Sequence, residues 1–114
     1  MADDTIYVNV EEGSKRVMNN IKLYVKLLAK FKLDSTCKEV EDALAEGNME
    51  KAQNAAHTLK GLTANLSLSE LYKQCLELET QIKNGSVQEE QLEIVKNVYE
   101  MTLTEVDRIL TLYA

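Results

Sequence analysis

The 114-residue chain has no proline, no tryptophan, one phenylalanine and one histidine. Without proline no helix is broken by ring geometry, so any breaks must be marked by caps and glycines. Its two cysteines, Cys37 and Cys75, form no Cys-x-x-Cys pair and have no histidine at zinc-ligand spacing. Both fall inside helical patterns and are expected to be reduced, packed thiols. No apolar run approaches the roughly 18–20 residues that span a bilayer. The opening residues Met1, Ala2, Asp3 and Asp4 carry no apolar leader core, so a cytoplasmic location is expected. Positive charge is also short: 13 Lys and Arg stand against 19 Asp and Glu, a net charge of −6. That balance excludes nucleic acid, whose phosphates need a basic surface, and leaves proteins and small ligands open. With 45% hydrophobic and 28% charged residues the chain reads as one folded domain, residues 1–114.

What is present is abundant leucine, glutamate, lysine and alanine, all good helix formers. Asn9-Val10-Glu11-Glu12 resembles a capping box, and Thr36-Cys37-Lys38-Glu39, Ser67-Leu68-Ser69-Glu70 and Ser86-Val87-Gln88-Glu89 fit the box itself. Gly47-Asn48 joins a helix-ending glycine to a new N-cap, Asn84-Gly85 ends another helix, and Asn19-Asn20 interrupts the first pair. These signals predict six helices at about 9–18, 20–32, 35–46, 48–66, 68–84 and 87–112.

Three-and-four spacing supports the second, fifth and sixth. Ile21, Tyr24, Leu27, Leu28 and Phe31 form one stripe; Leu68, Leu71, Tyr72, Cys75, Leu76 and Ile82 another; Leu92, Val95, Tyr99, Val106, Ile109 and Tyr113 a third. All are read as core. The short connections predict antiparallel neighbours. The expected fold is all-α: an antiparallel four-helix bundle of 35–46, 48–66, 68–84 and 87–112, covered by the two N-terminal helices. A monomer is expected, with Leu23, Val25, Ile94 and Val98 left for packing the N-terminal helices or for an interface.

The segment 48–66 carries the only histidine. On a wheel of about 100° per residue, Ala52, Ala55, Ala56, Leu62, Thr63 and Leu66 fall within roughly 60° of Leu59 and form the buried arc. His57 falls at about 160°, near Gly61 and Asn54, so it faces outward. Gly61, one turn on, costs the helix about 1 kcal/mol relative to alanine and clears the approach to the ring. Lys60 brings an ammonium within reach of anything attached to it.

Missing neighbours narrow the chemistry. The residues three and four away are Gln53, Asn54, Lys60 and Gly61, none of them an acid. A triad-like local carboxylate, a Glu-x-x-His metal pair and a His-Glu-x-x-His site are therefore all absent, and no metal is expected. An exposed neutral imidazole without local help is still a nucleophile, able to hold a phosphoryl group on a ring nitrogen if a partner supplies the rest.

His57-Thr58-Leu59-Lys60-Gly61, followed by Ala64-Asn65-Leu66, resembles the signature of histidine-containing phosphotransfer (HPt) domains. Asp42-Ala43-Leu44-Ala45-Glu46-Gly47-Asn48 is similar to the helix and turn before that signature, and Gly13 and the Tyr24–Phe31 helix to the family's N-terminal part. The resemblance implies a phosphorelay intermediate. His57 would take a phosphoryl group from the phospho-aspartate of a response-regulator receiver domain, on the ring nitrogen distal to the backbone, and pass it to another receiver. Lys60 would screen the phosphate, and Gln53, Asn54, Gly61 and Ala64 would dock the receiver. Such a domain is a phosphoryl carrier rather than a self-sufficient enzyme. It has no ATP site and no cofactor of its own; magnesium belongs to the receiver. One departure is Ser67, where the family commonly has glycine; here it reads as the N-cap of the next helix.

Two other readings are compatible with the same residues. In one, the chain is the phosphotransfer module of a larger histidine kinase, charged from ATP by a separate catalytic domain. In the other it is a binding-only helical adaptor in which His57 is incidental.

Overall fold

The computed structural model describes residues 5–114; the acidic opening at 1–4, where no leader is expected, lies outside the described residues. Six helices follow one another: α1 (Val10–Arg16), α2 (Ile21–Lys32), α3 (Thr36–Glu46), α4 (Met49–Asn65), α5 (Ser69–Lys83) and α6 (Glu89–Leu112). The described residues contain no strand, and no helix is long and apolar enough to cross a membrane. Helices α3, α4, α5 and α6 each pack on the next, and α3 returns to touch α6. Helix α2 lies against α6, and α1 against α2.

The asparagine caps form as their chemistry demands. The side chains of Asn9, Asn20 and Asn48 each accept a hydrogen bond from the backbone N–H three residues on, all at 3.1 Å. Gly47 ends α3 in the left-handed conformation, at φ +75°. The hydroxyl caps behave differently. Thr36 is already helical, its N–H bonded to the Asp34 carboxylate, while Ser35 holds the N-cap position and its hydroxyl binds Glu39. Helix α6 starts after Gln88 rather than Ser86, with no side-chain cap.

Ser67 is not an N-cap either; Leu68 takes that place. Ser67 sits at φ +55°, in the left-handed region that glycine enters freely and other residues enter at a cost of about 1–2 kcal/mol. That conformation accounts for a glycine being usual here. Ser67 keeps the turn by other bonds: its hydroxyl donates to Glu12 at 2.9 Å, and its carbonyl accepts from the Asn9 N–H at 2.9 Å.

The core follows the helical stripes. Tyr24, Leu28, Phe31, Val40, Leu59, Leu68, Leu71, Leu78, Val95, Val106 and Ile109 are almost wholly buried, and so are the unpaired thiols Cys37 and Cys75. Burial pushes each thiol up to about 12, so neither is a ready nucleophile. Three residues predicted as core are not: Tyr72, Leu76 and Tyr113 are exposed. Tyr72 stands outside the arc that Leu71, Cys75, Leu78 and Ile82 fill and Leu76 farther round the helix, and Tyr113 lies past the end of α6. Of the four leftover apolar residues, Val25 and Val98 pack against the core while Leu23 and Ile94 stay exposed.

The α4–α5 turn is tied to the N-terminal helices by more than Ser67. The buried Tyr24 hydroxyl donates to the Leu66 carbonyl at 2.6 Å. Gly13 makes room for that ring, because a Cβ at this position would overlap the Tyr24 ring and hydroxyl. The ring is anchored at its far end and cannot swing away. Gly61, by contrast, has nothing within 4 Å of an added Cβ. Urea unfolding should therefore rank the variants in opposite directions: Gly13→Ala less stable than wild type by about 1–3 kcal/mol, and Gly61→Ala more stable by up to about 1 kcal/mol.

Candidate functional site

Helix α4 buries Ala52, Ala56, Leu59 and Thr63, and with this face fixed the opposite side has no choice but to face solvent. His57 is 70% exposed, and Asn54, Thr58 and Gly61 are exposed beside it. Gln53 and Ala64 are half-buried at the edges of this strip. The wheel thus places the strip correctly. What it cannot supply is the other helix.

The imidazole is not without a carboxylate. Glu79, 22 residues later on α5, lies with its carboxylate oxygen 2.8 Å from His57 Nδ1. An ionised carboxylate only accepts, so Nδ1 carries the hydrogen and donates. The acid missing from the histidine's own helix arrives across the α4–α5 interface. Lys60 is likewise no free surface cation. Its ammonium donates to the other oxygen of Glu79 at 2.7 Å, and only 21% of its side chain is exposed. Lys83, one turn beyond Glu79 on α5, places its ammonium 4.0 Å from the oxygen that His57 uses.

Glu79 itself is 2% exposed. Burial pushes its carboxyl upward, but hydrogen bonds from Lys60 and His57 and the charges of Lys60 and Lys83 outweigh that and hold it below the usual carboxylate range. Its hydrogen bond to Glu79 raises Lys60 in turn. The sequence held a signal for this residue. Glu79 is four residues after Cys75 and three before Ile82, so it falls on the buried stripe of α5, where an acid needs a partner. Lys83 lies one turn on along the same helix.

Two grooves flank the strip. One of about 580 Å³ has an apolar floor of Val17, Leu27, Phe31, Leu62 and Leu66. The other, about 480 Å³, is more polar and is lined by residues of α3 and α4 that include Glu39, Asn54 and Thr58.

The site is thus an outward imidazole, fixed at one nitrogen and open at the other, beside a lysine and a bare glycine. The model of the Hpt domain family matches residues 30–110. The chain belongs to this family. No curated protein matches it, and no solved structure does. The family works by histidine phosphotransfer in two-component signalling, and its members interact with receiver domains. The match takes in this Hpt domain from the end of α2 through most of α6, with α1 and the Gly13–Tyr24 contact before it.

Replacing the buried carboxylate tests the site's electrostatics. Glu79→Gln should lower stability at neutral pH by about 1–3 kcal/mol, since charge-assisted bonds become ordinary ones or are lost. Glu79 has a folded value below its unfolded one of about 4.3. Its contribution is therefore complete above that unfolded value and disappears as pH falls through the lower folded value. Urea midpoints measured against pH should show the gap between wild type and variant closing below about pH 4. A gap that persists unchanged in acid would mean that Glu79 contributes by shape alone.

Proposed function

We propose that this Hpt domain is a phosphorelay intermediate that takes a phosphoryl group from one receiver domain and passes it to another, with His57 as the carrier. The observation that supports this most directly is the hydrogen-bonded state of the only histidine in the chain. With Nδ1 donating to Glu79, the lone pair of the neutral ring lies on Nε2, the nitrogen distal to the backbone, on a side chain that is mostly exposed.

In the forward step the Nε2 lone pair attacks phosphorus of the receiver's aspartyl phosphate. The N–P bond forms as the P–O bond to the aspartate breaks, and the aspartate leaves as a carboxylate. The proton on Nδ1 stays where it is, and the positive charge now on the ring is faced by Glu79. The return step reverses the same bonds with a second receiver. Glu79 is a positioning residue here: it fixes the ring's rotation and tautomer, as a carboxylate does for histidine in other nucleophilic sites. Lys60 screens the phosphoryl charge. Magnesium, by this reading, is held by the receiver and not by this chain.

Docking falls on the strip around His57. Gly61 lets the partner's surface approach the ring, with Gln53, Asn54 and Ala64 around it, and the apolar groove beyond Leu62 extends the footprint. The domain acts as one unit with α3 to α6 forming a four-helix bundle and α1 and α2 covering it. A monomer in the cytoplasm is the corresponding setting.

Incubation with a phosphorylated receiver should give acid-labile, base-stable label on wild type and none on His57→Gln. Label that persists in the variant would end the assignment. Gly61→Leu should weaken receiver binding at least roughly tenfold, a loss of about 1.4 kcal/mol, while its urea midpoint stays at or above that of wild type. If that variant binds normally, the partner approaches from another side.

A further inference from the structure

The resting site leaves an electrostatic problem for the phosphorylated state. Lys60, the cation on the histidine's own helix, already has a partner, since its ammonium is 2.7 Å from a carboxylate that is 2% exposed. A phosphoryl group on His57 brings nearly two negative charges to the same few ångströms. If Lys60 turns to the phosphate, the buried Glu79 keeps the His57 bond and the delocalised charge of the ring but loses its ammonium partner on the other oxygen, and a buried carboxylate with one oxygen left unpaired is unfavourable. If it does not turn, the phosphate is left with little screening.

Lys83 resolves this. It stands at the outer limit of an ion pair, 4.0 Å from Glu79 Oε2, with 52% of its side chain exposed and a flexible stem. It follows Glu79 by four residues, the helical order in which an acid and a lysine pair best. Along the antiparallel α4–α5 pair it approaches Glu79 from the end opposite Lys60, since Lys60 follows His57 on α4 and Lys83 follows Glu79 on α5.

We propose that Lys60 and Lys83 exchange on Glu79: when His57 is phosphorylated, Lys60 turns to the phosphoryl group and Lys83 closes on the carboxylate. The proposal rests on the reading of His57 as the phosphoryl acceptor. It makes Lys83 a positioning residue, acting through Glu79. It also gives the domain two charge arrangements, one for each state, with the buried carboxylate paired in both.

The test separates this exchange from the relay itself by phosphorylating His57 chemically, with phosphoramidate and no receiver. Wild type, Lys83→Met and Lys83→Arg are compared in both states by thermal unfolding in mildly alkaline solution, where the N–P bond persists. Lys83→Met should lower the midpoint of the phosphorylated form by about 2–5 °C, leave the unphosphorylated midpoint nearly unchanged, and be rescued by Lys83→Arg. In wild type the Lys83 side-chain ammonium resonance should shift on phosphorylation, and the Lys60 resonance with it. Equal loss in both states would make Lys83 an ordinary surface pair and overturn the exchange. So would no loss in either state, or a Lys83 resonance that does not respond. Chemical labelling without labelling by a receiver would overturn the relay and leave the exchange standing. Failure of both phosphoramidate and a phosphorylated receiver to modify His57 would overturn both.

Discussion

A carboxylate with 2% of its surface exposed has to be answered by donors and cations, and Glu79 is answered from two sides. One oxygen takes the Lys60 ammonium and the other takes His57 Nδ1. Both partners come from α4, one turn apart, so the two bonds also fix how α4 and α5 lie along one another. A slip of one helical turn would carry at least one of the two away from Glu79 and leave its charge less fully paired. The residues that set the registry of this helix pair are the same residues that orient the imidazole.

That arrangement explains why so little else is needed at the surface. The strip around His57 is Asn54, Thr58 and Gly61, none of them ionisable. The chemistry available to the protein is one nitrogen lone pair, an adjacent ammonium and an unobstructed approach. The helices beneath provide rigidity. The α4–α5 turn is held by Tyr24 through the Leu66 carbonyl and by Asn9 and Glu12 through Ser67. The N-terminal helices thereby brace the end of α4 without touching the histidine.

Much of this was legible in the residue order. The caps at Asn9 and Asn48, the break at Asn19-Asn20, the glycine at 47 and the buried arc of α4 follow from local geometry, which acts over three or four residues. The misreadings have causes that the local sequence does not carry. Thr36, Ser67 and Ser86 have the right residue type for a cap, but a capping residue must itself be non-helical and stand just before the helix; Thr36 is already helical, Ser67 is left-handed and Ser86 lies three residues before α6. At Ser67 the contacts with α1 decide the backbone instead. Tyr72 and Leu76 carry the spacing of a core stripe yet lie outside the buried arc, because α5 is covered by α4 and α6 over a narrower arc than its apolar residues offer.

The sequence by itself determined that the chain is helical, where its helices begin and end to within about two residues, and that its one histidine faces outward beside Lys60 and Gly61. It did so because hydrogen bonding and side-chain periodicity within a helix are local. Only the tertiary structure decided that the histidine has a carboxylate, that Lys60 is bound to it, and that Ser67 must bend left-handed. Each of these depends on residues far apart in the chain, 22 between His57 and Glu79 and 55 between Glu12 and Ser67. No helical wheel relates residues on different helices; only the packing of α5 on α4 and of α1 on the turn between them brings those groups within a hydrogen bond's reach.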